Sequence, residues 1–427
     1  MPLPARLDTL TQDTASIGDL SWWELYNDTT LQQLIHRALT YNKDLKIASA
    51  RMNELAALKR IDFANMFPQA TARLNGNRET TNYGGDNFDA DPELSLTASI
   101  SWELDLWGNL RWARDHSTAE FLASVENCRA VKIGLVAQVA QSYFELMALD
   151  NELAIVRRTL EARREGVRLA EIRFKGGLTS EIVFQQAKVE LAKTATMVPD
   201  LERRISLKES EIALLTGDFP YAVNRNVLPE EIQLPDALPL GLPSTLLERR
   251  PDIRKAEREL MAAHAEVGLA YTNMFPRLAL TATLGAESET LRDLLKSPYS
   301  YLAGNLLSPL FAMGKNRAAL KAKRTAYESA VAEYEKTVLT AFKETHDAII
   351  NFNKIKDIYE SRRQLAEASR TAVELAQLQY INGVIGYLDL LDAQRNYFDA
   401  QVSLSNAVCD KQLMIINLYK ALGGGWK

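Results

Sequence analysis

A chain of 427 residues with 25% charged and 47% hydrophobic side chains is long enough for a large core or for two or three domains, and is neither disordered nor a helical membrane protein. Its 50 basic and 55 acidic residues, for a net charge of -5, are well mixed and leave no basic stripe for nucleic acid. Charged residues interrupt every helical pattern within about two turns, short of the roughly 18 apolar residues that a spanning helix needs, so any insertion into a bilayer has to be made by strands.

The N-terminus, MPLPARLDTL, has neither a charged n-region nor an apolar h-region. An exported protein starting this way has lost its signal peptide, and any lipid-bearing N-terminal Cys with it. Leu20 to Asp28 reads as an irregular lead-in whose Trp22, Trp23 and Tyr26 dock on the body. Helical spacing follows from Leu31 to Tyr41 and again from Asp44 to Met66, where Phe67-Pro68 stops it. From Gln69 to Tyr83 the period is two: Ala70, Ala72 and Leu74 face away from Thr71, Arg73, Asn75 and Asn77. Gly84 to Pro92 turns this strand into a longer one.

That longer strand is Glu93 to Trp107, ELSLTASISWELDLW. Leu94, Leu96, Ala98, Ile100, Trp102, Leu104 and Leu106 share one face and Glu93, Ser95, Thr97, Ser99, Ser101, Glu103 and Asp105 the other. At about 3.3 Å per residue it spans roughly 45 to 50 Å, enough to cross a bilayer. A half-buried strand of a soluble sandwich gives the same local pattern. After Gly108 the period becomes helical. Trp112 to Lys175 predicts a helix of roughly 95 Å, broken by Gly176-Gly177. Thr179 or Ser180 is placed to cap the next helix, which returns to Leu215 with a kink at Pro199. Gly217 to Pro243 is Pro-rich, lacks periodicity and reads as a linker.

The pattern then recurs. Asp44-Leu45, Ala48 and Asn65 to Pro68 return as Asp252-Ile253, Ala256 and Asn273 to Pro276; Gly108, Arg111, Gly177 and Ala187 return as Gly314, Arg317, Gly383 and Ala393. The expected division is a lead-in and equatorial segment (1-43), a first repeat (44-217, with hairpin 69-107 and helical hairpin 112-215), a linker or equatorial segment (218-251), a second repeat (252-422, with hairpin 277-311 and helical hairpin 316-422) and a tail (423-427). Its second pair of strands runs from Arg277 to Glu287 and from Tyr299 to Phe311.

Four membrane strands cannot close, because every backbone amide in a bilayer must be paired and the smallest natural barrels have about eight. The chain must therefore oligomerise, with polar faces lining a wet lumen and Leu, Ala and Trp facing lipid. Tyr83, Trp102, Trp107, Tyr299, Tyr301 and Phe311, near strand ends, suit the interface. Leu135, Val139, Leu146, Leu153, Val156 and Leu160 form a seam for another helix. An isolated coiled-coil rod leaves the paired hairpins unexplained.

LLERRPDIRKAERELMAAHAEVGLA (Leu246 to Ala270), FP-x-L-x-L-T (Phe275 to Thr281), WELDLWG (Trp102 to Gly108), YLDLLDAQR (Tyr387 to Arg395) and LYKALGGGW (Leu418 to Trp426) together resemble the outer membrane factor family, the TolC-like channels of tripartite efflux and secretion systems. The resemblance is strongest to the branch serving resistance-nodulation-division pumps, much of which carries a lipidated N-terminal Cys. It implies an α+β fold: a trimeric outer membrane β-barrel with four strands per chain, continued by a long α-helical barrel with a mixed equatorial region. It also implies a homotrimer in contact with outer membrane lipid, a periplasmic adaptor protein and an inner-membrane efflux pump, and neither enzymatic activity nor a cofactor.

Leu388 and Asp392 are four apart and Asp389 and Asp392 three apart, so they lie near one helix face beyond the Gly383 turn. A threefold axis would repeat them as a ring of leucines and carboxylates; a solvated acidic helix end has the same spacing. By resemblance these residues line the periplasmic aperture, with Tyr380 and Arg395 in the links that hold neighbouring helices shut. The first repeat has Val183 and Gln186 at the equivalent places. The turns Lys175, Gly176, Gly177, Leu178, Thr179, Ser180 and Ile381, Asn382, Gly383, Val384, Ile385, Gly386 correspond to the tips that the family presents to its adaptor. The two cysteines, Cys128 and Cys409, read as small buried thiols. His36, His116, His264 and His346 are scattered, and Glu344-Thr345-His346-Asp347 lacks the Glu-x-x-His spacing of helical di-metal sites, so no metal is expected. The function expected is a passive exit duct for drugs or other small toxic molecules; a type I polypeptide secretion duct and a barrel-anchored coiled-coil scaffold or adhesin are the alternatives.

Overall fold

The computed structural model describes residues 28-81, 89-225, 243-309, 311 and 313-424. The expected lead-in aromatics Trp22, Trp23 and Tyr26, the interface residue Tyr83 and most of the linker lie outside these. The elements are α1 (Thr29–Tyr41), α2 (Lys43–Ala64), β1 (Gln69–Thr81), β2 (Asp89–Leu104), α3 (Asn109–Lys175), α4 (Glu181–Leu215), α5 (Pro243–Arg249), α6 (Pro251–Thr272), β3 (Arg277–Ser288), β4 (Pro298–Leu307), α7 (Lys315–Ile381) and α8 (Tyr387–Ala421). The helices α2 and α6 have 22 residues each, α3 and α7 67 each, and α4 and α8 35 each. Among the described residues no helix is long and apolar enough to cross a membrane. The chain forms two compact units, one of Met1–Ala48, Asn127–Ile253 and Val338–Lys427, the other of Ser49–Glu126 and Arg254–Thr337.

In the first unit the seam residues of α3 find their partners within the chain. Leu135, Val139, Leu146, Leu153 and Val156 are buried in one cluster with Leu201, Ile205 and Ile212 of α4, Ile349 and Phe352 of α7 and Ile416 of α8; Leu160 is half-buried. Asp28 starts α1 by accepting hydrogen bonds from the amides of Thr30 and Leu31, satisfying two of the orphan donors of a helix start, and its other oxygen accepts from the Tyr143 hydroxyl. The described residues at the two ends of the linker segment, 217-225 and 243-250, are held by arginines. Arg225 binds Asp150 and Glu209. Arg250, buried between the short α5 and α6, donates to Asp252, to Glu344 and to the carbonyls of Ala341 and Ala421. Polar anchoring of this kind leaves no hydrophobic period to read.

The second unit carries an antiparallel sheet in the order β1-β2-β3-β4. Its register stacks Ala70, Ile100, Ala282 and Leu302 in one row, and Ala72, Ala98, Leu284 and Ser300 in the next. Leu74, Ile100, Leu284 and Leu302 on this apolar face are each more than half exposed. On the opposite face Thr71, Ser99, Thr283 and Tyr301 form a row in which the Ser99 and Thr283 hydroxyls share a hydrogen bond of 2.9 Å.

Four sequence expectations need correction here. The longer strand begins at Asp89, so Pro92, expected in the turn, lies within it opposite Arg78. The longer strand ends at Leu104 because Asp105 leaves the ladder to accept from the amides of Leu110 and Arg111, capping α3. Strand β4 ends at Leu307, before Ser308-Pro309, since Pro has no amide hydrogen for a ladder. Tyr299 and Tyr301 sit on the polar face, opposite the side of Trp102, and Tyr299 lies across Gly285, where a Cβ would come within 2.5 Å of its ring. Trp102 and Trp107 instead donate from their indoles to the carbonyls of Met66 and Pro276.

Candidate functional site

The two helix-hairpin turns of the first unit are built alike. In the first, Gly177 has φ +70°, its amide donates to Phe174, and the Leu178 amide reaches back to Arg173 at 2.8 Å. In the second, Gly383 has φ +74°, its amide donates to Tyr380, and the Val384 amide reaches back to Gln379 at 2.8 Å. Both are Schellman closures, which satisfy the last carbonyls of α3 and α7 and need a residue free to adopt positive φ. The following helices start differently. Ser180 is the N-cap of α4, but neither it nor Thr179 caps through its side chain as the sequence suggested. At α8 the Asp389 carboxylate accepts from the Gly386 amide at 3.0 Å, so the cap comes from within the helix.

The turns are tied together by side chains. The Arg173 guanidinium lies 4.8 Å from the Tyr380 ring centroid, and Tyr380 packs on Tyr387 at 5.8 Å. Burial, with Tyr380 beside it, pushes the Tyr387 hydroxyl above its ordinary value. Phe174 stacks on Phe184 across the first turn. Leu178, Ile182, Ile381 and Val384 protrude, each more than half exposed.

Of the expected aperture residues, Leu388 is 60% exposed and Asp389 and Asp392 are exposed beside it; Asp392 also accepts from Asn396 at 3.3 Å. Arg395 has its partner inside the chain. Its Nε donates to Glu190 Oε1 at 3.2 Å, its Nη2 binds the same oxygen, and Arg163 of α3 binds Oε2. Burial alone would raise the Glu190 carboxyl, yet the hydrogen bonds and charges of Arg395 and Arg163 outweigh it and hold the carboxyl at about 2. Sequence reasoning missed Glu190 and Arg163. The signal was there: Glu190 falls on the stripe Ala187, Glu190, Thr194, Leu201 and Ile205 that α4 buries, and a carboxylate on a buried stripe requires cations. Glu344 and Asp347, near His346, are engaged by Arg250 and Lys343.

The family model described as "Outer membrane efflux protein" matches residues 34–218 and 242–424. The chain belongs to that family. It is 34% identical over 412 residues to the solvent efflux pump outer membrane protein SrpC of Pseudomonas putida, with 94% of this chain and 87% of the relative covered. To the antibiotic efflux pump outer membrane protein ArpC of the same species it is 30% identical over 433 residues, covering 99% and 88%. The solved outer-membrane channel OprN superposes with a TM-score of 0.90 at 30% identity, covering 100% of this chain and 98% of that one. This efflux protein is thus an outer membrane exit channel.

Proposed function

We propose that three copies of this efflux protein close their sheets into one twelve-stranded barrel, continued by a tunnel of helical hairpins, and that this tube is the passive last stage of a tripartite pump. The observation that carries the reading is the sheet whose edges at β1 and β4 are free among the described residues and whose apolar face is largely exposed. In a bilayer such edges are satisfied only by closure. Two helix, strand-pair and helical-hairpin sets of equal helix lengths suit a duct built by internal duplication.

At the far end of the hairpins, Leu388, Asp389 and Asp392 form the aperture ring, and the turns Lys175 to Ser180 and Ile381 to Gly386 dock a periplasmic adaptor through the protruding Leu178, Ile182, Ile381 and Val384. Large apolar side chains exposed together at a tip favour this use. Arg395 acts within its own chain, clasping α8 to α3 and α4 through Glu190, while Tyr380 braces the two turns. The cargo is of the small, toxic class for which SrpC and ArpC are named, solvents and antibiotics, delivered by an inner-membrane pump.

Mass measurement in detergent tests the assembly: three times 47.8 kDa of protein is expected, and a monomer ends the reading. For the aperture, Asp389→Ala with Asp392→Ala should lower cation selectivity and change single-channel conductance in planar bilayers; unaltered currents remove this site.

A further inference from the structure

The start of α7 carries charge that the exit-channel reading leaves unused. From Lys315 to Arg324, KNRAALKAKR holds five basic residues and no acidic one. Lys323 is engaged by Glu266 of α6 at 2.8 Å. Arg317, Lys321 and Arg324 are exposed and enter no ion pair among the described residues. The start of α3 differs, since Arg111 binds Asp105 at 3.0 Å and Arg114 binds Asp115 at 2.7 Å. Helix initiation below a strand therefore does not account for the free cations.

Spacings of four and three place Arg317, Lys321 and Arg324 on one stripe of α7. The helix meets α6 along another stripe, about a quarter turn away, where Asn316, Lys323 and Tyr327 reach Asn273, Glu266 and His264. The hand of the chain sets where the free stripe points. Glu287, on the polar face of β3, donates its amide hydrogen to the Ser297 carbonyl at the head of β4. With the polar face turned to the lumen and the helices below, an L-chain then has β4 to the left of β3 as seen from the lipid. Helix α7 descends to the left of α6, and its right-handed winding carries Arg317, Lys321 and Arg324 to the outer side. Just before them Leu306, Phe311 and Met313 are exposed apolar residues.

We propose that Arg317, Lys321 and Arg324 form a headgroup site for anionic phospholipid in the periplasmic leaflet that meets the base of the sheet. Basic residues next to an apolar membrane-facing surface attract anionic headgroups. The competing occupant is a second copy of the chain. Closure would bring β1 of that copy beside β4, and with it the end of α2, where Leu58 to Ala64 contains Lys59, Arg60 and Asp62. That neighbour brings two basic residues and one acidic one, so its net charge is positive and Asp62 offsets at most one of the three cations of the stripe. The inference rests on the outer membrane channel reading.

The test compares the wild-type channel with R317Q/K321Q/R324Q, in which Gln keeps the helix propensity. Both are titrated in detergent with phosphatidylglycerol and with phosphatidylcholine of the same acyl chains, and bound lipid is counted by native mass spectrometry. The wild type should prefer phosphatidylglycerol by at least about tenfold, and the preference should fall towards parity in the variant and, for the wild type, in high salt. A second variant, K59Q/R60Q, should keep it. Equal retention of the two lipids by the wild type, or an undiminished preference in the triple variant, overturns the site. So does a triple variant that changes ion selectivity in neutral bilayers, which would put the stripe in the lumen. Wild-type conductance in neutral bilayers is recorded alongside: no conductance removes the channel reading, whereas a conducting channel without lipid preference removes only this site.

Discussion

Arg395 of α8 and Glu190 of α4, 205 positions apart in the chain, share a charge-assisted hydrogen bond of 3.2 Å that fixes the two helical hairpins to each other. Arg163 completes the arrangement from α3. The Glu190 side chain is only 5% exposed, so the carboxylate is stable there because it is doubly paired.

Removing the centre of this clasp costs more than removing its rim. Glu190→Ala leaves the buried Arg163 without its counter-charge and should destabilise the protein by about 3 to 5 kcal/mol. Arg395→Ala should cost less, because Glu190 keeps Arg163 and the Arg395 side chain is 46% exposed. Thermal denaturation of the two single variants and the double variant gives the coupling; purely additive losses would mean that the pair does not act as a unit.

The same clasp fixes a pH window. The Glu190 carboxyl is depressed from an ordinary 4.5 to about 2, so its contribution is fully present above about pH 4.5 and is lost as pH falls through about 2. Between about pH 5 and 8 the wild-type advantage over Glu190→Gln should therefore be flat, and it should shrink below about pH 4. A difference in melting temperature that already fades between about pH 7 and 5 would contradict the assignment.

What the sequence disclosed followed from periodicity and from backbone punctuation. The alternation of Leu94 to Trp102 and the long helical runs to Lys175 and Ile381 were legible because one face of each element is apolar. Gly177 and Gly383 marked their turns for a conformational reason. The strand ends were less legible, since Asp105 and Leu106 continue the alternation in letters while Asp105 is already capping a helix. Arg395 was visible in the sequence, but its partner was not: Glu190 lies on another helix, and nothing local pairs the two. The roles proposed for Leu388, Asp389 and Asp392 rest on family resemblance, and spacing alone gave only their common face.

Glycine is required at two kinds of place for opposite reasons. At Gly177 and Gly383 a Cβ would meet nothing within 4 Å, but φ is positive, so Ala is strained by about 1 kcal/mol at each turn. At Gly268 a Cβ would come within 2.3 Å of the Trp112 ring, and Ala there should cost about 1 to 3 kcal/mol through displaced packing. Accordingly Gly268→Ala should perturb Trp fluorescence as well as stability, and the turn variants only stability. Identical spectra for folded Gly268→Ala and wild type would show that the Trp112 contact is not tight.

Arg250 joins four groups from different parts of the first unit, with 2.6 Å contacts from Nη2 to both Asp252 and Glu344 and longer bonds to the carbonyls of Ala341 and Ala421. A lysine supplies charge but not a planar fork, so Arg250→Lys should recover less than half of the roughly 1 to 3 kcal/mol lost in Arg250→Ala, which leaves Asp252 and Glu344, 43% and 51% exposed, in reach of water. Full recovery by Lys, read from melting temperatures of the solubilised protein, would reduce the site to simple charge neutralisation.

The two cysteines should separate in reactivity. Cys409 is 5% exposed, its thiol points at the Phe144 carbonyl, and burial pushes it up to about 12. Only the thiolate attacks a disulfide reagent, and a group titrating at about 12 is ionised at about one part in ten thousand at pH 8. Cys128 is half-buried and lies outside that core. A thiol titration with an aromatic disulfide reagent at about pH 8 should therefore count at most one cysteine in the folded protein and two after denaturation. Rapid reaction of both in the folded channel would show that the helices around Cys409 open far more often than their packing implies.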